Sequence, residues 1–172
     1  MNWKELFDTQ LKLDYKIKKQ KGLHLEDLRS RKILALHAEL GELSNEWRGF
    51  KFWSENKRPN EMGMKQVWYE GGHGPHHFPC NPLLEEYVDC LHFILSLGND
   101  IGFATYTAIY RDDNSRSITE QFNDVYNWVS ILNKTLDFDV HTARNPYIHL
   151  IGGFLNLGYL LGLSFTEIEQ AY

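Results

Sequence analysis

Glu39-Leu-Gly-Glu42 and Glu86-Tyr-Val-Asp89 place two pairs of carboxylates at i,i+3 spacing, which on a helix sets each pair on neighbouring turns of one face. Carboxylates about 4 Å apart repel by about 4 kcal/mol per pair at an effective dielectric of about 20. Four of them at a half-buried seam therefore need protons or cations. An all-oxygen donor set favours a hard ion, so Mg²⁺ is expected before zinc or copper. Carboxylate-bound Mg²⁺ commonly engages phosphates, and it supplies the positive charge that an acidic protein lacks. Nucleotide hydrolysis is the leading chemistry.

The pairs need helices to hold them. Leu28, Ile33, Leu36, Leu40, Leu43 and Trp47 recur at helical spacing and predict a helix over about 26–50, with Glu39 and Glu42 at the border of its apolar face and Glu46 continuing their stripe. Asn81-Pro82, a cap residue followed by proline, opens a second helix that runs to about Gly98. There Glu86 shares a face with Cys90, Phe93 and Leu97, Asp89 lies one step round, and the polar side carries Glu85, His92, Ser96 and Asn99. The other predicted helices cover about 2–20, 103–111, 117–136 and 145–162, and Thr166 with Glu169 has capping-box spacing for a short last one. No run of alternating strand character stands out. The expectation is one all-α domain over 1–172, a bundle of about five to seven helices with a long irregular loop at about 50–80 that holds at most one short helix.

Bulk properties agree with one globular domain. The 172 residues are 42% hydrophobic and 14% aromatic, enough for a substantial core. A net charge of −5 offers no basic footprint, so nucleic acid is not an expected partner. Only two cysteines, Cys80 and Cys90, fit a reducing cytoplasm. The N-terminus lacks an apolar signal core. The most lipid-like run, Ile148 to Leu163, holds His149, Asn156 and four glycines and falls short of the roughly 20 residues of a membrane span.

Wider segments narrow the chemistry. Ile33-Leu-Ala-Leu-His-Ala-Glu-Leu-Gly-Glu-Leu-Ser-Asn-Glu46, Phe50-Lys-Phe-Trp-Ser54, Glu85-Glu-Tyr-Val-Asp-Cys-Leu-His-Phe-Ile-Leu-Ser-Leu-Gly98 and Leu160-Leu-Gly-Leu-Ser-Phe-Thr-Glu-Ile-Glu-Gln-Ala-Tyr172 resemble the dimeric dUTPase family, part of the all-α nucleotide pyrophosphatases that include MazG-like enzymes. The resemblance implies a homodimer that hydrolyses dUTP, and often dUDP, to dUMP. It implies Mg²⁺ held by Glu39, Glu42, Glu86 and Asp89, with Glu39 also the general base for an activated water that attacks a phosphoanhydride. It further implies that Gln10 reads the uracil edge, that Trp53 walls the pocket and that His92 and Phe93 contact the deoxyribose. Lys51 is a candidate phosphate contact. The alternative for Trp53 is a core anchor of its loop, that for His92 a helix-surface residue, and that for Lys51 a solvated side chain. Relatives continue beyond Ala171-Tyr172 into a stretch with Lys, Asn and Arg that grips phosphates, which this sequence does not contain.

Other readings carry less. A MazG-like enzyme acting on other nucleotides and a weakly active binding or regulatory relative remain alternatives. A di-iron carboxylate bundle needs two Glu-x-x-His helices, and Asp89-Cys-Leu-His92 is the only near match on a helix. His73, His76, His77 and Cys80 follow no standard zinc spacing, so they read as a polar loop or a lid. Gly158-Tyr-Leu-Leu-Gly162 reads as close helix packing, with a dimer interface as the alternative.

Overall fold

The computed structural model describes residues 2–68, 74–103, 116–136 and 138–172. Within them the chain is an all-α bundle with one small sheet: α1 (Trp3–Lys21), α2 (Arg29–Trp47), β1 (Gly63–Val67), β2 (His76–Cys80), α3 (Pro82–Asp100), α4 (Ile118–Leu136), α5 (Val140–Leu160) and α6 (Phe165–Ala171). Their starts follow local chemistry. Asn2 and Asn81 cap α1 and α3 by accepting from Glu5 N and Leu84 N, and Pro82 occupies the first turn of α3, where its missing N–H is no loss. Ser117 and Glu120 bond each other's backbone N–H at the start of α4, a reciprocal capping box.

α3 is the central helix. α2 packs along it, α1, α5 and α6 also lie against it, and α4 bridges α2 and α5. Its apolar residues Leu83, Tyr87, Leu91, Ile94 and Leu97 are fully buried, together with Leu36, Leu40 and Leu43 of α2. Two tyrosines lock α3 to α5 from opposite sides. Tyr87 of α3 donates to Phe154 O at 3.1 Å and fills the space above Gly158, while Tyr147 of α5 donates to Ile94 O at 3.1 Å and fills the space above Gly98. Gly158 is therefore packed inside the chain. Among the described residues no single helix is long and apolar enough to cross a membrane.

The structure departs from the sequence expectations at several points. The 50–80 stretch holds an antiparallel hairpin, β1 with β2, where no strand was expected, and its register pairs Met64 with Pro79 and Gln66 with His77. Almost every residue in it is exposed or half-exposed. With neither face on a core, no alternation is left in the sequence to read, and Pro79 further masks a strand whose edge needs no N–H. α5 begins at Val140, five residues before the expected start at 145, because Asp139 accepts from His141 N and the helix then carries Pro146 internally. The last capping box uses Ser164 with Glu167, two residues earlier than Thr166 with Glu169. α2 is shorter than 26–50, since Arg48 takes a left-handed φ of 65° directly after Trp47. The helix expected at 103–111 lies largely outside the described residues.

Candidate active site

Helical periodicity on α2 and α3 brings the predicted acids together. One carboxylate oxygen from each of Glu39, Glu42 and Glu86 lies within 4.8 Å of the other two. Glu39 and Glu86 are half-buried and Glu42 is exposed, so the cluster opens to solvent on one side. Asp89 is exposed, one turn from Glu86, and stands outside this three-oxygen group, although its charge acts on both Glu39 and Glu86.

The electrostatics show strain that a cation would relieve. Burial pushes the Glu86 carboxyl up to about 7, with further upward pressure from Glu42, Asp89, Glu39 and Glu46. Glu39 is also raised, first by burial and then by Asp89 and Glu42. Behind them Cys90 is fully buried, and its thiol is held well above the usual range by burial and by the same carboxylates. A hard, acceptor-only oxygen set of this kind suits a divalent cation such as Mg²⁺. Glu46, the extra acid of the α2 stripe, accepts a hydrogen bond from Asn60 Nδ2 at 2.6 Å and so ties the root of the hairpin to the helix. Lys65 of β1 pairs with Glu85 at 2.8 Å, beside the acids.

A cavity of about 350 Å³ opens between α1, α2 and α3, with Ala35 and Phe93 in its wall. Ala35 lies one turn before Glu39 on α2, and Phe93 lies one turn after Asp89 on α3. The cavity and the acid cluster are thus neighbours along both helices. Its walls are mostly apolar, with Leu13, Ile17 and Leu28 among them.

Five polar residues of the cavity lining, Gln10, Asp14, Lys32, His92 and Ser96, form one connected network. Gln10 is buried on α1; its Nε2 donates to Asp14 Oδ1 at 2.7 Å, and its Oε1 faces His92 Nδ1 at 2.8 Å. Ser96 donates to Asp14, and the buried Lys32 pairs with Asp14 at 3.4 Å and with Asp100 at 2.6 Å. The polar side of α3 is therefore turned toward α1: Ser96 is buried, and Asn99 donates to Phe7 O at 3.1 Å. His92 is half-buried, and burial lowers its pKa.

Gln10, His92 and Phe93 all line the cavity. Trp53 and Lys51 lie elsewhere. Trp53 is 66% exposed, edge-on to Phe52 and Phe50 in the turn after α2, so it is no core anchor. Lys51 bonds the Asn45 side chain and backbone and sits 5.8 Å over the Phe50 ring. Asp14, Lys32 and Ser96 were not singled out from sequence. Asp14, one turn beyond Gln10, carried a local signal; Lys32 and Ser96 acquire their place only when α2 and α3 meet α1.

With this geometry in place, comparison with known proteins is decisive: the dUTPase family profile matches residues 2–172. The chain belongs to the dUTPase family. The match spans nearly the whole chain, so it covers the acid cluster and the cavity together and makes the protein a dUTP diphosphatase. dUTPases of this family usually need a divalent metal, and the carboxylate cluster supplies a donor set for one. No curated protein and no solved structure matches the chain.

Proposed function

We propose that the chain is a single-domain, Mg²⁺-dependent enzyme that hydrolyses dUTP, and dUDP, to dUMP, acting as a homodimer in the cytoplasm. One observation carries this reading: three convergent carboxylates lie within two helical turns of a mainly apolar cavity with a polar edge. Phosphates belong at the acids and the nucleoside belongs in the cavity. When bound, Mg²⁺ supplies the positive charge that phosphate oxygens require and makes an adjacent water more acidic. Glu39, Glu42 and Glu86 would hold it, with Asp89 joining from the next turn of α3. Glu39 is the base: it is half-buried among the oxygens that would hold the metal, where it can take up the proton of the attacking water.

In the cavity, Gln10 keeps one amide hydrogen, Asp14 an acceptor site and Lys32 a third ammonium hydrogen beyond the bonds described above. That set of donor, acceptor and donor can satisfy the two carbonyls and the N–H of a uracil imide. Phe93 and His92 border the deoxyribose. Trp53 and Lys51 would reach a ligand only if the turn after α2 folds over it, Trp53 covering the base and Lys51 meeting a phosphate. The free thiols of Cys80 and Cys90 accord with a reducing compartment.

The test is release of pyrophosphate or phosphate from dUTP, dTTP, dCTP and UTP with and without Mg²⁺. Preferential turnover of dUTP that stops on chelation is expected. Equal turnover of all four would remove the uracil reading, and full activity in chelator would remove the metal. Light scattering after size exclusion tests the dimer.

A further inference from the structure

Tyr172 joins the cavity network from a different element than the residues that line the cavity. α6 is anchored by its capping box and by Ile168, which is 1% exposed, and it presents Tyr172 against α3. The Tyr172 ring stacks on the His92 ring, with centroids 4.3 Å apart and planes at 28°. Its hydroxyl lies 2.8 Å from Gln10 Oε1 and, more weakly, 3.4 Å from Leu6 O.

The donors and acceptors in this chain of contacts allow one sense only. Asp14, ion-paired to Lys32, accepts, so the Gln10 NH₂ must face it and Oε1 must point the other way. Oε1 also only accepts. Both Tyr172 O–H and His92 Nδ1–H must therefore donate to it, which leaves the second ring nitrogen of His92, Nε2, as a bare acceptor. An amide and an imidazole are each nearly symmetric in shape and could otherwise sit in either sense.

We propose that Tyr172 is a positioning residue for base and sugar recognition: with Asp14 setting the sense of the chain, it holds Gln10 Oε1 and the His92 ring so that Gln10 offers its remaining N–H and His92 its Nε2 lone pair to a nucleoside. This rests on the assignment of the cavity to the nucleoside. Tyr172 acts through Gln10 and His92 and needs no contact with substrate. The last helix, remote from the carboxylates in sequence, thereby governs selectivity at the other end of the site.

Nitrogen-15 NMR of His92 in the nucleotide-free protein reads the tautomer directly, and Nδ1–H is expected. Tyr172→Phe keeps the stack and removes the donor. It should leave the Nδ1–H tautomer in place, because Asp14 still sets the sense of Gln10, raise KM for dUTP about five- to tenfold and leave kcat within about twofold. Asp14→Asn, which can present either a donor or an acceptor to Gln10, should mix the His92 tautomers and erode discrimination between dUTP and dCTP. A wild-type His92 protonated on Nε2 overturns the proposal even if neither variant folds. A Tyr172→Phe protein with unchanged KM for dUTP overturns it too. A wild-type protein that ignores dUTP, yet has the Nδ1–H tautomer that Asp14→Asn scrambles, supports the positioning chain and overturns the substrate assignment alone.

Discussion

The hydroxyl of Tyr87 on α3 stands where a side chain at position 158 of α5 would begin: a Cβ built on Gly158 lies 2.5 Å from the Tyr87 oxygen. The tyrosine is fully buried and its hydroxyl is bonded to Phe154 O, so the ring has little freedom to yield. Because Tyr87 directly follows Glu86, this contact also sets the height at which α3 presents its acids.

Gly158→Ala should therefore destabilise the protein by about 1–3 kcal/mol, as overpacked core positions do, despite the better helix propensity of alanine. Thermal unfolding reads this as a drop of several degrees for a chain of this size. A rise in the midpoint would show that the ring moves aside freely.

Glu39→Gln should lower kcat by about 100-fold or more, the scale of a lost general base. It should also raise the thermal midpoint of the metal-free protein at pH 8, because it removes one charge from a half-buried cluster. Retained turnover would take the base role away from Glu39.

Metal-free stability should fall as pH rises. The Glu86 carboxyl is raised from 4.5 to about 7 in the folded chain, so the stability it contributes is fully present below pH 4.5 and is lost as pH climbs through 7. Glu39, raised in the same direction, adds to the trend. Urea titrations from pH 5 to 8 in chelator check it, and Glu86→Gln should flatten the profile. A profile that rises across this window would show that these carboxyls are not raised in the folded state.

Lys32→Met should cost about 3–5 kcal/mol, since it leaves Asp14 and Asp100 without their buried cation. High salt should not restore the loss, because the pairs are shielded from solvent. A change under 1 kcal/mol in denaturant unfolding would show that water reaches the pair and replaces the lysine.

How far the sequence could be read depends on how local each signal is. Glu39 with Glu42 and Glu86 with Asp89 are written within single helical turns, and Asn81-Pro82 marks a helix start within two residues. Both were legible. The Asp14 network joins residues 18 and 82 positions apart, and no periodicity encodes such a meeting. The hairpin escaped because its strands bury neither face, so backbone pairing holds it without any hydrophobic pattern. The expected start of α5 is too late because Asp139 caps the helix at Val140 and Pro146 sits inside it without ending it. Gly49 shows a further limit. It reads as a helix stop, yet the left-handed residue is Arg48, and Gly49 is needed because the Trp47 ring lies where its Cβ would be.

The offset between acids and cavity, one turn from Ala35 to Glu39 on α2 and two from Phe93 to Glu86 on α3, works as a ruler. On the proposed reading, a free nucleoside would fill the cavity without touching the carboxylates, and pyrophosphate would meet the carboxylates without entering the cavity. Only a molecule carrying both parts on one short covalent tether spans the step, and its second contact then forms at the high effective concentration of an intramolecular encounter. Separate fragments, even at saturating levels, would compete poorly with the joined nucleotide. Cutting the tether would convert one firmly held ligand into two loosely held ones, so the reaction itself would loosen the grip on its products.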